Sequence, residues 1–167
     1  MEQCVNEPPG WCDREALKKI KDHMKGDKHF LISEKIRYKL YEKWNVYTEE
    51  QKKQWVGKQL EHLRKAAYAG HPEAQFNLAC FYEYGVMIND VFYFHNEDKM
   101  IYWMKKAAAS LYPDAVENMA LLYESNSGIR DWEQAKVYYE LYDKLTIQKM
   151  SAYRKDFLRK YSLLKNR

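Results

Sequence analysis

Histidine and cysteine side chains are the strongest candidates for metal binding or nucleophilic chemistry in this chain, and they form no recognisable site. The five histidines are spread over the sequence, at His23, His29, His62, His71 and His95. None belongs to the H-E-x-x-H pair that binds zinc from one helix face, and the sequence contains no Gly-rich phosphate loop or nucleophile elbow. The sequence therefore predicts no metal, no cofactor and no catalytic residue, and we do not expect an enzyme.

The three cysteines, Cys4, Cys12 and Cys80, are odd in number and include no C-x-x-C pair. We expect reduced thiols, with Cys80 as a small apolar residue of the core, while a Cys4–Cys12 disulfide and a metal role are the alternatives. The segment MEQCVNEPPG lacks the basic and apolar regions of a secretory signal, and no apolar run approaches the ~20 residues that span a bilayer. These features predict a cytoplasmic protein without a membrane segment.

Carboxylates are the next candidates, because the charge of the chain is unevenly distributed. Residues 66–145 carry 6 basic and 12 acidic groups, whereas residues 146–167 carry 7 basic groups and 1 acidic group. Acidic residues scattered over helices are usually solvated, so we expect them to attract a basic partner and not to form a catalytic pair. The acidic candidates for partner binding are Glu73, Glu83, Asp114, Glu117 and Glu124.

A run of aromatic residues, Phe92-Tyr93-Phe94, precedes His95 and is the second candidate for partner binding. Three consecutive aromatic side chains on a loop cannot all point inward, so at least one is expected at the surface, where aromatic side chains anchor partners. The alternative is that the loop folds over the helices and buries most of them. His95 is either part of this binding surface or an exposed loop residue without a role. Tyr84 is a further candidate for the same surface.

The hydrophobic spacing around these candidates predicts an all-α fold, with no competing strand pattern. Pro8, Pro9 and Gly10 interrupt regular structure, so residues 1–12 are predicted to be an arm. An irregular loop over 86–96 is expected to hold the aromatic run. The predicted helices cover residues 13–26, 28–44, 48–69, 72–84, 97–110, 113–124, a stretch starting at 131, and 146–165.

One part of this pattern occurs twice. Residues 65–83 and 106–124 align with a shift of 41 residues, and nine of the nineteen aligned positions are identical. A fixed period of this length indicates stacked helical units, in which small residues let helices approach closely and tyrosines fill the space between helix pairs. These residues are Ala66, Ala67 and Tyr82 in one copy and Ala107, Ala108 and Tyr123 in the other.

The repeated residues resemble Sel-one-like repeats, α/α relatives of tetratricopeptide repeats with the pattern A-x-x-x-L-x-x-x-Y-x-x-G, then Asp, then a second helix ending W/Y-x-K-A-A. One unit matches this pattern at Ala74, Leu78, Tyr82, Gly85, Asp90, Trp103, Lys106, Ala107 and Ala108. The next unit matches at Ala115, Met119, Tyr123, Gly128, Asp131 and Ala135. Its closing Ala-Ala is replaced by Tyr142-Asp143, so its helix pair is expected to pack differently.

The resemblance implies a tetratricopeptide-like α/α solenoid with a C-terminal capping helix, in which the whole of 13–167 is a single repeat domain. The implied parts are a degenerate unit over 28–70, good units over 71–110 and 112–145, and a capping helix over 146–165. The spacing from Tyr to Asp is 8 in both good units, and the first unit is longer by six residues after Asp90, around VFYFHNED.

The family mostly supplies scaffolds and adaptors, so the resemblance implies a non-catalytic module that binds another protein. Our leading hypothesis is a bacterial immunity protein that neutralises a toxin, because the acidic residues can meet a basic toxin domain. The alternative is a regulatory adaptor or assembly scaffold of a host complex. A nucleic-acid-associated protein that uses the basic C-terminal helix is the third hypothesis, which the acidic repeats disfavour. We expect no small-molecule substrate and no membrane partner.

Overall fold

The structure, a computed structural model, describes residues 14–146, with side chains from residue 26 onward. This range is all-helical apart from one short sheet, which confirms the predicted all-α class. Its elements are α1 (Arg14–Lys43), α2 (Glu49–Tyr68), α3 (Pro72–Tyr84), β1 (Val86–Ile88), β2 (Val91–Tyr93), α4 (Glu97–Ala109), α5 (Pro113–Ser125) and α6 (Trp132–Thr146). Within the described range, no helix combines the length and apolar character needed to cross a membrane. The predicted arm, and the capping helix beyond Thr146, lie outside the described residues.

Helix α1 is continuous where the sequence predicted two helices separated at Gly26. That prediction was wrong, because Gly26 lies inside α1 and is buried. A Cβ at this position would lie 3.2 Å from the Cβ of Ala69, the residue that follows α2. Glycine here allows two backbones to approach closely and does not end a helix.

The described residues fall into two compact units, unit 1 up to His71 and unit 2 from Pro72. Unit 1 is the pair α1 and α2, and α2 begins at the predicted capping box. The Thr48 side chain accepts a hydrogen bond from the Gln51 N–H, and the Gln51 side chain accepts one from the Thr48 N–H. The buried apolar side chains of unit 1 are Phe30, Leu40, Val56, Leu60, Leu63, Ala66 and Ala67. The single repeat domain over 13–167 stays a prediction.

Helix α2 ends in a Schellman motif, the pair of backbone bonds that closes many helices. The Gly70 N–H donates to the Ala67 carbonyl (3.1 Å), and the His71 N–H donates to the Ala66 carbonyl (3.2 Å). Gly70 has a φ of +91°, as this motif requires of the residue after the cap.

Helix α4 ends in the same motif, 41 residues later. The Leu111 N–H donates to the Ala108 carbonyl (2.9 Å), and the Tyr112 N–H donates to the Ala107 carbonyl (3.2 Å). Leu111 takes the position of Gly70 with a φ of +58°, although a side chain is strained there. The repeat found in the sequence therefore extends to backbone geometry, even where glycine has become leucine.

Unit 2 contains two helix pairs: α3 packs along α4, α5 packs along α6, and α4 also contacts α5. The repeated small residues are buried as predicted, with Ala107 and Ala108 at most 2% exposed. Tyr82 is also buried, whereas its counterpart Tyr123 is half-buried and packs on Tyr138 with 5.6 Å between ring centres. Other residues that line the core of unit 2 are Ala74, Leu78, Met100, Trp103, Met104, Ala115, Met119, Ala135 and Tyr139.

A two-stranded antiparallel hairpin occupies part of 86–96, which the sequence predicted to be an irregular loop without strands. That prediction was wrong. Val86 pairs with Tyr93 and Ile88 with Val91, and Ile88 is 1% exposed. The two turn residues, Asn89 and Asp90, both have positive φ (48° and 63°), which is the requirement of the tight turn that matches strand twist.

The second helix of each pair begins with the same contact. The Asn96 N–H donates to the Tyr82 carbonyl (2.9 Å), and the Asp131 N–H donates to the Tyr123 carbonyl (2.8 Å). Asn96 and Asp131 also cap their helices with side-chain oxygens. The family pattern matched Asp90 to Asp131. The structure shows instead that Asn96 is the counterpart of Asp131. The six extra residues lie between Tyr82 and Asn96, which is where the hairpin is.

Candidate protein-binding face

The first turns of α3 and α5 each present a carboxylate beside a shared tyrosine. Glu73 and Asp114 are exposed, and both contribute to raising the pKa of Tyr112, after the larger effect of burial. The Tyr112 ring packs on Phe76 of α3, with 5.2 Å between ring centres. The first carboxylates of the two helices therefore lie on the same side of unit 2. Each is also stabilised by the N-terminal end of its helix dipole.

Glu117 extends this acidic region along α5. Burial raises the pKa of Glu117, and the charge of Asp114 raises it further. A hydrogen bond with Tyr142 of α6 opposes that shift, since it favours the charged carboxylate. A cation placed beside Glu117 would therefore relieve an unfavourable charge.

Glu83 extends the same region along α3, at the other end of the helix. Burial raises the pKa of Glu83, while a hydrogen bond with the exposed Tyr84 opposes the shift. Cys80 lies one turn before Glu83, and the pKa of its thiol is raised to about 11 by burial and by the charges of Glu83 and Asp114. Such a thiol is protonated and unreactive at neutral pH, although Cys80 is half-buried and is not one of the fully buried core residues, as the sequence predicted it to be.

These four carboxylates, Glu73, Glu83, Asp114 and Glu117, are called the acidic face below. Asp114 and Glu117 are three residues apart on α5, a spacing that keeps them on one side of the helix, whereas Glu73 and Glu83 are ten apart on α3 and point roughly 80° apart around its axis. Glu83 and Asp114 both interact electrostatically with Cys80, Glu73 and Asp114 with Tyr112, and Asp114 with Glu117, so Asp114 lies near the other three carboxylates.

A groove of about 180 Å³ lies beside Glu83, between residues of α3, α4 and α5. Its lining combines methionine and leucine side chains with three polar ones. These residues are Met100, Met104, Leu121, Leu122, Glu83, Asn118 and Ser125. An apolar groove with a carboxylate at its edge suits a side chain that has an apolar stem and a positive end, such as lysine or arginine.

Glu124, the fifth acidic candidate from the sequence, differs from these four carboxylates because it is engaged by a buried tyrosine. Its Oε2 accepts a hydrogen bond from the Tyr139 hydroxyl (2.9 Å) in a partly buried position. Tyr139 is 1% exposed and belongs to the packed cluster of α5 and α6. Glu124 therefore holds a core tyrosine in place.

The aromatic hairpin, residues 86–94, presents apolar side chains to solvent next to this face. Phe92 is 64% exposed, whereas Tyr93 is half-buried and Phe94 packs against Phe81 of α3 at 5.7 Å between ring centres. Phe92 and Phe94 are therefore both exposed, although Phe94 also has a packing partner, and only Tyr93 of the aromatic run is half-buried. His95 is exposed, and its Nδ1 is 2.8 Å from the Glu83 carbonyl, so it also ties the hairpin to α3.

Two unusual backbone conformations fix the base of the hairpin. Gly85 has a φ of +63°, and a Cβ there would lie 2.8 Å from the Tyr93 carbonyl oxygen. Phe94 has a φ of +70°, a left-handed conformation that is rare for an aromatic residue. The surrounding contacts hold Phe94 in this conformation, which directs the chain into the Asn96 cap.

Two histidines that are far apart in the sequence come together in unit 1. His29 and His62 are 33 residues apart in the chain, yet their Nδ1 atoms are 2.9 Å apart. The sequence carries no signal for this pair, because only the packing of α1 on α2 brings the two positions together. No group of three or more potential metal ligands occurs among the described residues.

No protein-family model matches the chain, and no relative is found among curated proteins.

Proposed function

We propose that this chain is a non-catalytic module that binds another protein through the acidic face and the aromatic hairpin. The observation that carries the proposal is the convergence of acidic residues from α3 and α5 around Cys80 and Tyr112. Aromatic anchors beside charged groups are typical of binding surfaces, and a steered encounter needs charge of one sign on one side.

The architecture that we propose for this function is a Sel-one-like α/α solenoid, with a capping helix over 146–165 and a cytoplasmic setting. The matching Schellman motifs and the matching contacts at Asn96 and Asp131 support repeated helix pairs. Solenoids present extended surfaces to partners, which agrees with the acidic groups lying on the first helix of each pair in unit 2.

The partner that fits best is a protein with a basic surface. Two of the four carboxylates have a raised pKa, so a neighbouring cation would stabilise their charged forms. The groove beside Glu83 can receive the stem of a lysine or arginine. Within this class we propose a bacterial immunity protein that covers the basic surface of a toxin.

Affinity capture with matched variants tests the proposal. The baits are the wild-type chain, a Glu73→Lys/Glu117→Lys variant, and a Glu42→Lys/Glu50→Lys control that makes the same change in charge at two exposed glutamates of unit 1. We expect a basic protein to be captured by the wild type and the control and lost with the face variant. With the captured protein purified, its association rate at low salt should fall at least about tenfold in the face variant.

Two results would contradict the acidic face. One is an unchanged association rate for the Glu73→Lys/Glu117→Lys variant that retains wild-type helicity by circular dichroism. The other is turnover of a substrate by the purified chain alone. Immunity is tested separately, because co-expression of the chain must suppress the toxicity of the captured protein.

A regulatory adaptor is the second candidate, and a basic aromatic patch in unit 1 favours it. Lys39 and Lys58 lie over the Trp55 ring, at 4.1 Å and 4.8 Å from its centre, and Tyr47 stacks on the same tryptophan. Surfaces of opposite charge on two units suit a chain that joins two different proteins. Capture of two subunits of one complex, each lost with a variant of a different unit, would favour the adaptor over the immunity protein.

A further inference from the structure

Unit 1 contains a polar contact that protein binding through the acidic face does not use. His29 of α1 and His62 of α2 meet with 2.9 Å between their Nδ1 atoms and 5.1 Å between ring centres. Both side chains are partly buried. This hydrogen bond joins the two helices of unit 1 directly, beside the buried side chains that pack them together.

The geometry limits how many protons the pair can bind. A hydrogen bond between two Nδ1 atoms needs one proton, which one ring donates and the lone pair of the other accepts. The bond exists when both rings are neutral, and it survives one positive charge when the donor is also protonated at Nε2. When both rings are charged, two N–H groups face each other and no lone pair accepts. Full protonation therefore breaks the bond.

Charged groups of both signs lie near the pair. Glu61 interacts electrostatically with both rings, but its carboxylate forms an ion pair with Lys65. The third described histidine of unit 1, His71, has its own carboxylate, with 3.5 Å between its Nε2 and Asp27 Oδ1. Among the described side chains, the charged residues within one helical turn of His29 or His62 in the sequence are mostly basic: Asp27, Lys28, Lys58, Glu61, Arg64 and Lys65.

We propose that His29 and His62 form a proton-sensitive latch, which holds α1 on α2 near neutral pH and weakens when both rings are protonated. The folded pair binds one proton fewer than two independent imidazoles of the unfolded chain, which are charged below a pH of about 6.5. The stability of the α1–α2 pair therefore falls as the pH decreases below that value. The opening equilibrium constant should rise by up to about tenfold per pH unit.

Hydrogen exchange of the full chain, measured by mass spectrometry between pH 7 and pH 5 with EDTA present, tests the latch. In the wild type, opening of the α2 amides should increase by up to about tenfold per pH unit below 6.5, after correction for intrinsic exchange. In His62→Asn this increase should disappear, because an amide group can hydrogen bond at the same place but does not titrate. The control His95→Asn, in unit 2, should keep the wild-type response.

Equal pH responses in the wild type and His62→Asn would overturn the proposal. A second measurement needs no variant: imidazole resonances of the wild type are followed by NMR through the same pH range. Two separate steps, the second at lower pH, support a shared proton, whereas independent titration of both rings overturns it. Since the acidic face belongs to unit 2, failure of the latch leaves the proposed partner binding unaffected, and the reverse also holds.

Discussion

In unit 2, the connection within the α3–α4 pair and the connection within the α5–α6 pair begin and end at equivalent residues. They differ in the residues between those two points. In each pair, the N–H of the residue that caps the second helix donates to the carbonyl of a repeated tyrosine. In the α5–α6 connection Asp131 follows Tyr123 by eight residues, whereas in the α3–α4 connection, which includes the hairpin, Asn96 follows Tyr82 by fourteen. The fixed parts of the repeat are therefore the helix ends.

This difference separates the residues that pack the helices from those of the proposed binding surface. The shared tyrosine carbonyls and helix caps position both pairs, and they have the same geometry with or without the extra residues. The added hairpin carries the exposed Phe92 and approaches the acidic face at Glu83 through His95. A connection between two fixed points is where a protein can gain a binding element without disturbing its core.

The largest effect that would sharpen this comparison is expected from Gly85→Ala. A Cβ would lie 2.8 Å from the Tyr93 carbonyl oxygen and would also strain a φ of +63°, so we expect a loss of about 3 kcal/mol in unfolding free energy. The matched change in the other connection, Gly128→Ala, should cost less than about 0.5 kcal/mol. Urea unfolding followed by circular dichroism measures both. Equal losses would show that the two connections do not differ in this way.

The next largest effect is expected at the alanines that allow the helices to pack closely. Ala108→Leu should overpack a position that is 2% exposed and should cost about 2 kcal/mol. Its neighbour on the same helix, Ala109, is exposed, so Ala109→Leu is the control and should change the melting temperature little. A melting curve of Ala108→Leu that overlays that of the wild type would contradict the register of the repeat.

A smaller effect compares the two Schellman motifs. Leu111→Gly should relieve the strain of a φ of +58° and raise the unfolding free energy by about 1 kcal/mol, whereas Gly70→Leu should lower it by about as much. Leu111→Ala keeps the strained conformation and is the control, for which no gain is expected. Chemical denaturation of the three variants decides the matter, and a stabilised Leu111→Ala would show that backbone strain is not the cause.

The smallest effect is the pH dependence of Glu117. Its folded-state pKa is raised by burial and by Asp114, so its contribution to stability is present below the ordinary glutamate pKa and is lost as pH rises through the raised value. Glu117→Gln should therefore stabilise the chain at neutral pH, by no more than about 0.5 kcal/mol, and this gain should vanish in acid. Denaturation at pH 7 and pH 4 measures it, with Glu133→Gln as the control. A gain that grows in acid would reverse the assigned sign.

Helix ends in this chain were predictable because side-chain chemistry marks them. The capping box at Thr48, the prolines that open α3 and α5, and Gly85 after α3 all stand where the sequence placed them. The all-α class followed from the spacing of apolar residues, and the buried alanines followed from the repeat. These features depend on residues that are close in sequence.

The errors arose where a residue serves contacts that are distant in sequence, or where an element is too short to show a period. Gly26 looked like a helix end, yet it is required by the approach of Ala69. Asp90 matched a family pattern by spacing, but the turn of the hairpin uses it, and Asn96 takes the equivalent role. A short strand pair with alternate side chains in and out is too brief to show a period, so the hairpin was missed.

The sequence predicts that the candidate site is acidic, but it identifies only some of the residues that lie there. Acidic residues at helical spacing indicated Glu73 and Asp114, because the repeat itself sets their positions. Glu124 was included by the same reasoning, although the hydroxyl of Tyr139 engages its carboxylate. The histidine pair His29 and His62 could not be predicted, since only the packing of α1 on α2 defines its register.

The paired hydrogen bonds at the helix caps have a consequence for engineering. Because each connection leaves after a tyrosine carbonyl and returns at a capping Asn or Asp, the residues between these points act as an exchangeable cassette. Grafting the hairpin cassette between α5 and α6, or the shorter one between α3 and α4, would transplant or erase the exposed phenylalanine while the flanking helices keep their anchors.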